Sequence, residues 1–106
     1  MSIKLNNNEL NRFSRQIILK DIGVIGQKRI KQSKALIIGI GGLGCPVAEF
    51  LARAGVGKIG IVDNDLVSLS NIHRQSLFDT TDLKNSKVIA AKKKLKKINP
   101  KISIQT

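Results

Sequence analysis

The run Gly39-Ile40-Gly41-Gly42-Leu43-Gly44 follows the continuous apolar stretch Ala35-Leu36-Ile37-Ile38 and precedes a segment of helical character. It satisfies G-x-G-x-x-G in the setting that motif requires, after a strand and before a helix, and this constrains the fold more than any other feature. Glycines let the backbone turn sharply and approach a phosphate with no side chain between, while the free amides of a helix start offer it partial positive charge. The competing reading is architectural, with Gly42 and Gly44 only allowing tight strand–helix packing. The apolar run itself predicts a strand buried on both faces, the central strand of a parallel sheet. Pro46 suits a first helical turn, and Val47, Phe50, Leu51 and Ala54 mark one face of a helix over 46–54 that Gly55 ends. Ile59-Gly60-Ile61-Val62 is the next strand, so residues 35–62 form a strand–helix–strand unit of about the minimal size.

The flanking segments are organised more loosely. Leu10, Phe13, Ile17 and Ile18 recur at helical spacing and predict one amphipathic helix over 9–20. Gly23 and Gly26 bracket a turn, after which 27–32 forms a short helix anchored by Ile30. The stretch from Asp63 to Asp82 is mostly polar, and a loop this long inside a small domain usually carries function. Ser86 stands where it can cap a helix over 87–98 that buries Val88, Ala91, Leu95 and Ile98 and leaves Lys92, Lys93, Lys94, Lys96 and Lys97 largely outside. Asn99-Pro100 stops that helix, and Ile102 and Ile104 alternate with Ser103 and Gln105 as a third strand.

At 106 residues the chain has the size of one small domain, with one modest core and little room for a deeply enclosed site. Its 42% hydrophobic content excludes intrinsic disorder. No apolar run approaches the roughly 20 residues needed to cross a bilayer. Met1 to Leu10 is polar and Asn-rich, unlike a secretory signal, and the single cysteine, Cys45, has no internal partner; a cytoplasmic location is expected. The formal net charge of +12 is segmented: +6 over 1–34, −2 over 35–83, and eight lysines without an acid over 84–106. With no Trp or Tyr to stack bases on, a solvated lysine surface is favoured over nucleic-acid binding.

Asp63 ends the second strand, 19 residues after Gly44, where a dinucleotide fold places a carboxylate on ribose hydroxyls. Asp65 follows it and opens Asp65-Leu66-Val67-Ser68-Leu69-Ser70-Asn71-Ile72-His73-Arg74-Gln75, a run that an ordinary dehydrogenase does not need. Asp65 and Asn71 can each be loop caps instead of ligands. Arg74 can hold phosphate oxygens bidentately, which a lysine cannot. A lone His73 is read as structural or solvated.

Taken together, Arg12-Phe13-Ser14-Arg15-Gln16-Ile17-Ile18-Leu19, the glycine loop with Cys45, Ala54-Gly55-Val56-Gly57, Asp63-Asn64-Asp65, Ser70-Asn71-Ile72-His73-Arg74-Gln75 and Ile98-Asn99-Pro100 resemble the ThiF/MoeB family. These are adenylyltransferases, related to ubiquitin-activating enzymes, that act on small sulfur-carrier proteins. The resemblance implies an α/β fold with a Rossmann-like parallel sheet of three visible strands at 35–106, preceded by an N-terminal helical segment at 1–34. It implies ATP over the glycine loop, with Gly41 near the α-phosphate and Asp63 on the ribose hydroxyls. Asn71, Arg74 and Lys87 would hold phosphate oxygens, and Arg15 would reach the γ-phosphate of the partner subunit in a homodimer. The carrier's C-terminal carboxylate would attack the α-phosphorus and pyrophosphate would leave, with the protein supplying position and charge relief.

The candidate nucleotide-binding set is therefore Gly39, Gly41, Gly42, Gly44, Asp63, Asp65, Asn71, Arg74, Gln75 and Lys87, with Arg74, Lys87 and Arg15 as candidate catalytic residues and no metal ligand. The resemblance covers the N-terminal part of such an enzyme, so an incomplete chain is expected. The Mg²⁺-binding aspartate, the segment that receives the carrier tail and the Cys-x-x-Cys zinc site would lie beyond Thr106. Cys45 is not at the position of the family's catalytic thiol and reads as a small packed residue. Two rival readings stay open: an NAD(P)-binding oxidoreductase fragment, from the glycine motif and Asp63, and a tRNA-modifying or non-catalytic nucleotide-binding module, from the lysines over 84–101. The Gly-Leu-Gly-Cys-Pro and Arg-Gln-Ile-Ile-Leu segments are more similar to the sulfur-carrier branch.

Overall fold

The computed structural model describes residues 4–106; the first three residues of the polar Met1–Leu10 stretch lie outside it. In place of one helix over 9–20 there are two short ones, α1 (Asn7–Arg12) and α2 (Ser14–Ile17), separated at Phe13. Asn6 starts α1 with a reciprocal cap, its Oδ1 accepting the Glu9 amide at 2.8 Å while Glu9 Oε1 accepts the Asn6 amide at 3.0 Å. The break brings the Phe13 ring inward against Gly55, and Leu10 and Ile18 stay exposed. Helix α3 (Gly23–Gln32) begins a turn earlier than the glycines suggest, and its fully buried residue is Gln27, with Ile30 only partly buried. Gln27 tolerates burial because both ends of its amide are paired: Oε1 accepts Gln16 Nε2 at 2.7 Å and Nε2 donates to the Ala54 carbonyl at 2.9 Å.

Three parallel strands, β1 (Lys34–Ile38), β2 (Lys58–Val62) and β3 (Ser103–Gln105), lie in the order β1-β2-β3. Lys34 pairs with Lys58, Ile38 with Val62, and Ile59 with Ile104. The central strand is thus β2, not β1. One sheet face, carrying Ile37, Ile59, Ile61 and Ile104, is buried; the other leaves Leu36, Ile38 and Val62 exposed, so the apolar run of β1 is covered on one side only. Continuous hydrophobicity reports what a strand can bury, and in these residues helices cover only the first face.

Helix α4 (Gly44–Ala54) also turns the opposite way from the expectation built on its large residues. Cys45, Ala48 and Ala52 are buried while Val47 and Phe50 are exposed. Small side chains let α4 lie close to the sheet and to α5 (Lys87–Ile98), whose Ala90, Ala91 and Leu95 complete the core, with Val88 and Ile98 packed at its edge. Lys92, Lys93, Lys94 and Lys97 are exposed, as their spacing predicts. Ser86 occupies the position before α5 but its side chain makes no capping bond. The long segment after β2 holds two single-turn helices, Leu69–Asn71 and Thr80–Asp82, and sends Val67, Leu77 and Phe78 into the core.

Candidate functional site

The glycine loop leaves β1 through Gly39, whose amide continues the ladder by donating to Val62 O at 2.7 Å and whose φ of +92° lies in the left-handed region that favours glycine. Ile40, fully buried, pins the next step, and the Cys45 amide donates back to Gly41 O at 2.9 Å as α4 begins. The four motif glycines then divide into two kinds. A Cβ on Gly44 would stand 2.0 Å from Gly39 O, so glycine is required there by packing alone. A Cβ on Gly41 or Gly42 would meet nothing nearer than 3.7 Å or 3.8 Å, which is ordinary contact. The architectural reading therefore holds for Gly44 and fails for Gly42. Beside the loop, a groove of about 510 Å³ runs over Gly39, Gly41, Gly42 and Gly44 and the exposed sides of Leu36, Ile38 and Val47.

Asp63 closes the loop from β2. Its Oδ2 accepts the Ile40 amide at 2.9 Å and its Oδ1 the Asp65 amide at 2.8 Å. Burial pushes the Asp63 carboxyl up, but these two backbone donors, together with the Lys87 charge, outweigh it and hold the group below its ordinary value. The Asp65 contact is a local one, two residues on, but the Ile40 contact was not visible in the sequence, since a carboxylate 23 residues away gives no local signal.

Residues 65–67 run beside 84–87, with Leu66 bridged antiparallel to Ser86, Val67 N bonded to Asn85 O at 2.8 Å and Lys87 N to Asp65 O at 3.0 Å. That pairing sets Lys87, the first residue of α5, next to the loop system. Its side chain is 7% exposed and its Nζ stands 4.0 Å from Asp65 Oδ2. Lys87 is thus no member of the solvated lysine face. Asn71 is buried, and its Oδ1 accepts both the amide and the hydroxyl of Ser68, each at 2.9 Å, so its cap of the Leu69–Asn71 turn is real. Arg74 is exposed; Nη1 donates to Ser70 O at 2.8 Å, and its Cδ, Cγ and Nε lie 3.8 to 3.9 Å from the position of a Cβ on Gly42. Ser70, through its carbonyl, is the holder of Arg74 that residue type alone did not reveal. Gln75 is buried with its Nε2 toward Gly41. The structure brings together Gly39–Gly44, Asp63, Asp65, Arg74, Gln75 and Lys87; Arg15 is exposed on α2 and makes no hydrogen bond to any of them.

The arrangement suits an oxygen-rich anion: a backbone cradle open at two glycines, an arginine across it and a shielded lysine beside an aspartate. Among the described residues no group of three or more His, Cys, Asp or Glu side chains could hold a metal ion. No helix among them is long and apolar enough to cross a membrane.

The ThiF family profile matches residues 13–106. The chain belongs to the ThiF family. The ThiF relatives include adenylyltransferase and sulfurtransferase MOCS3 of Aedes aegypti, 52% identical over 103 residues, which are 97% of this chain and 24% of that protein. The sulfur carrier protein adenylyltransferase of Thermus thermophilus is 43% identical over 97 residues, 92% of this chain and 36% of its own length. Among solved structures, E. coli MccB with ATP superimposes with a TM-score of 0.82 at 35% identity, covering 94% of this chain and 31% of that one. The chain therefore spans 24%, 36% and 31% of the length of these three proteins.

Proposed function

We propose that this chain is the nucleotide-binding part of an ATP-dependent adenylyltransferase that activates the C-terminal carboxylate of a small ubiquitin-like sulfur carrier, in the cytoplasm. The observation that carries the reading is the pair Gly41 and Gly42, which packing leaves free to bear a side chain and which nonetheless have none, beneath Arg74. Bare backbone at such a place fits close approach of phosphate. Arg74 and Lys87 then hold phosphate oxygens and offset the charge that grows as pyrophosphate leaves, Asn71 supports the turn that carries Arg74, and Asp63 positions the loop while keeping carboxylate lone pairs for a ribose. ATP with Mg²⁺ supplies the phosphoryl group under attack. A sulfur carrier as partner is supported by the name of the Thermus thermophilus relative; molybdenum-cofactor or thiamine biosynthesis as its setting, and a homodimer in which Arg15 serves the partner's site, rest on the resemblance of the matched residues and not on a contact in this chain.

Calorimetry of the 106-residue chain with ATP and Mg²⁺ tests this, with NAD as competitor and Arg74→Ala as control. ATP binding that NAD does not displace and that Arg74→Ala weakens at least tenfold supports the reading. Binding of NAD with no response to ATP overturns it in favour of an oxidoreductase fragment.

A further inference from the structure

Gln75 is the residue at this site whose chemistry the fold does not use. Its backbone is fixed in the turn, the amide donating to Asn71 O at 2.9 Å and the carbonyl accepting Phe78 N at 3.1 Å, and the residue is 3% exposed. Its Oε1 is fully buried with no hydrogen-bond partner. Its Nε2 lies 3.7 Å from the position a Cβ on Gly41 would take, on the side of the loop that glycine leaves bare. A buried amide normally pairs both ends, as Gln27 does, and one whose oxygen is left unpaired bears the desolvation cost of that oxygen. An apolar side chain of similar size would fill the same space without that cost. What only the amide supplies is an N–H donor beneath Gly41.

Because the outward end is the donor, the group it serves is an acceptor, and Arg74 and Lys87 nearby make that acceptor an anion. We infer that Gln75 Nε2 donates to an oxygen of the phosphoryl group that lies over Gly41, so that Gln75 trades stability of the ligand-free chain for affinity toward phosphate. This rests on the nucleotide reading of the loop.

Three variants test it: Gln75→Leu, Gln75→Glu and Gly41→Ala. For each, the urea unfolding midpoint without ligand is measured, with calorimetric affinity for ATP and for inorganic tripolyphosphate, which lacks the nucleoside. Gln75→Leu is expected to unfold at an equal or higher urea concentration, and to bind both ligands about tenfold or more weakly. A folded Gln75→Leu chain that keeps its ATP affinity within about twofold, or that loses ATP but not tripolyphosphate, overturns the inference. If the leucine variant fails to fold, Gln75→Glu decides, since it keeps the shape and replaces the donor by an acceptor: weaker binding of both ligands above neutral pH supports the inference, and unchanged binding overturns it. Gly41→Ala separates the two levels. Loss of ATP in Gly41→Ala with retention in Gln75→Leu removes only the role of Gln75, whereas full ATP affinity in Gly41→Ala removes the nucleotide reading and this inference with it.

Discussion

Asp63 Oδ2 accepts the amide of Ile40 at 2.9 Å, tying the end of the central strand to the first turn of the glycine loop. The same carboxylate holds the Asp65 amide with its other oxygen, so a single side chain sets both walls of the site. Asp63→Ala leaves the amide of a fully buried isoleucine without its acceptor. The expected loss is about 1–3 kcal/mol in urea unfolding together with loss of ATP binding, while Asp63→Asn, which keeps one acceptor oxygen, loses less stability. Equal stability of Asp63→Ala and the unsubstituted chain would show that the loop stands without this brace.

Of the three carboxylates held below their ordinary value, Glu9, Asp63 and the exposed Asp79, the first two make the chain acid-sensitive in a defined direction. Glu9 is pushed up by burial, but its bond to the Asn6 amide and the charge of Lys31, 2.9 Å away, hold it below its ordinary value, as the loop amides do for Asp63. A group whose folded pKa lies below its unfolded one stabilises fully above the unfolded value, about 4 for these side chains, and loses that contribution as pH falls through the folded value. The urea midpoint should be level from pH 8 to about 5 and fall below about 4. In Glu9→Gln and Asp63→Asn it should fall less steeply over that acid range; an unchanged slope in both would refute the assignment.

The glycines provide a test that separates folding from binding. Gly41→Ala has room and ordinary backbone, so its unfolding midpoint should hold or rise slightly through lost unfolded-state entropy, while ATP affinity drops at least tenfold. Gly44→Ala drives a Cβ onto the Gly39 carbonyl and should leave little folded protein by circular dichroism. If both variants lose structure together, the loop glycines serve the fold alone.

The strand–helix–strand unit was legible because its signals are local: an apolar run, glycines at fixed offsets, a second apolar run. The side that each element buries was not. Val47 and Phe50 are more hydrophobic than Ala48 and Ala52, yet the alanines face inward, because close helix–sheet contact selects size and no local pattern reports that contact. Lys87 shows the same limit at the site: in sequence it is one of eight lysines over 84–106, and only the pairing of 65–67 with 84–87 sets it apart. The Gly41, Gly42 and Arg74 neighbourhood was readable from the motif and its resemblance, whereas the part Asp63 plays in the loop depends on a backbone amide far away in the chain.

Gln27, the first residue of the short helix that the sequence suggests over 27–32, is a fully buried connector of α2, α3 and the end of α4. Gln16 Nε2 bonds both Gln27 Oε1 at 2.7 Å and Ala54 O at 3.0 Å, so the three groups form one closed network. Gln27→Leu removes the partner of Gln16 and one donor to Ala54 O, for an expected loss of about 1–3 kcal/mol. A double-mutant cycle with Gln16→Leu measures the coupling, and additive effects would mean that the two amides act independently.

Cys45 sits at the start of α4, fully buried, with Sγ 3.6 Å from Ile40 O. Burial pushes its thiol above the ordinary value, and this outweighs the lowering by the Leu77 backbone bond and the Lys87 charge. The thiolate is the nucleophilic form, so a raised and enclosed thiol is inert. Ellman's reagent should leave the folded chain unlabelled at pH 8 and react stoichiometrically in concentrated guanidinium, with an intermediate rate that follows the fraction unfolded. Rapid labelling of the folded chain would mean that the helix start opens locally, and would overturn the reading of Cys45 as a packed residue.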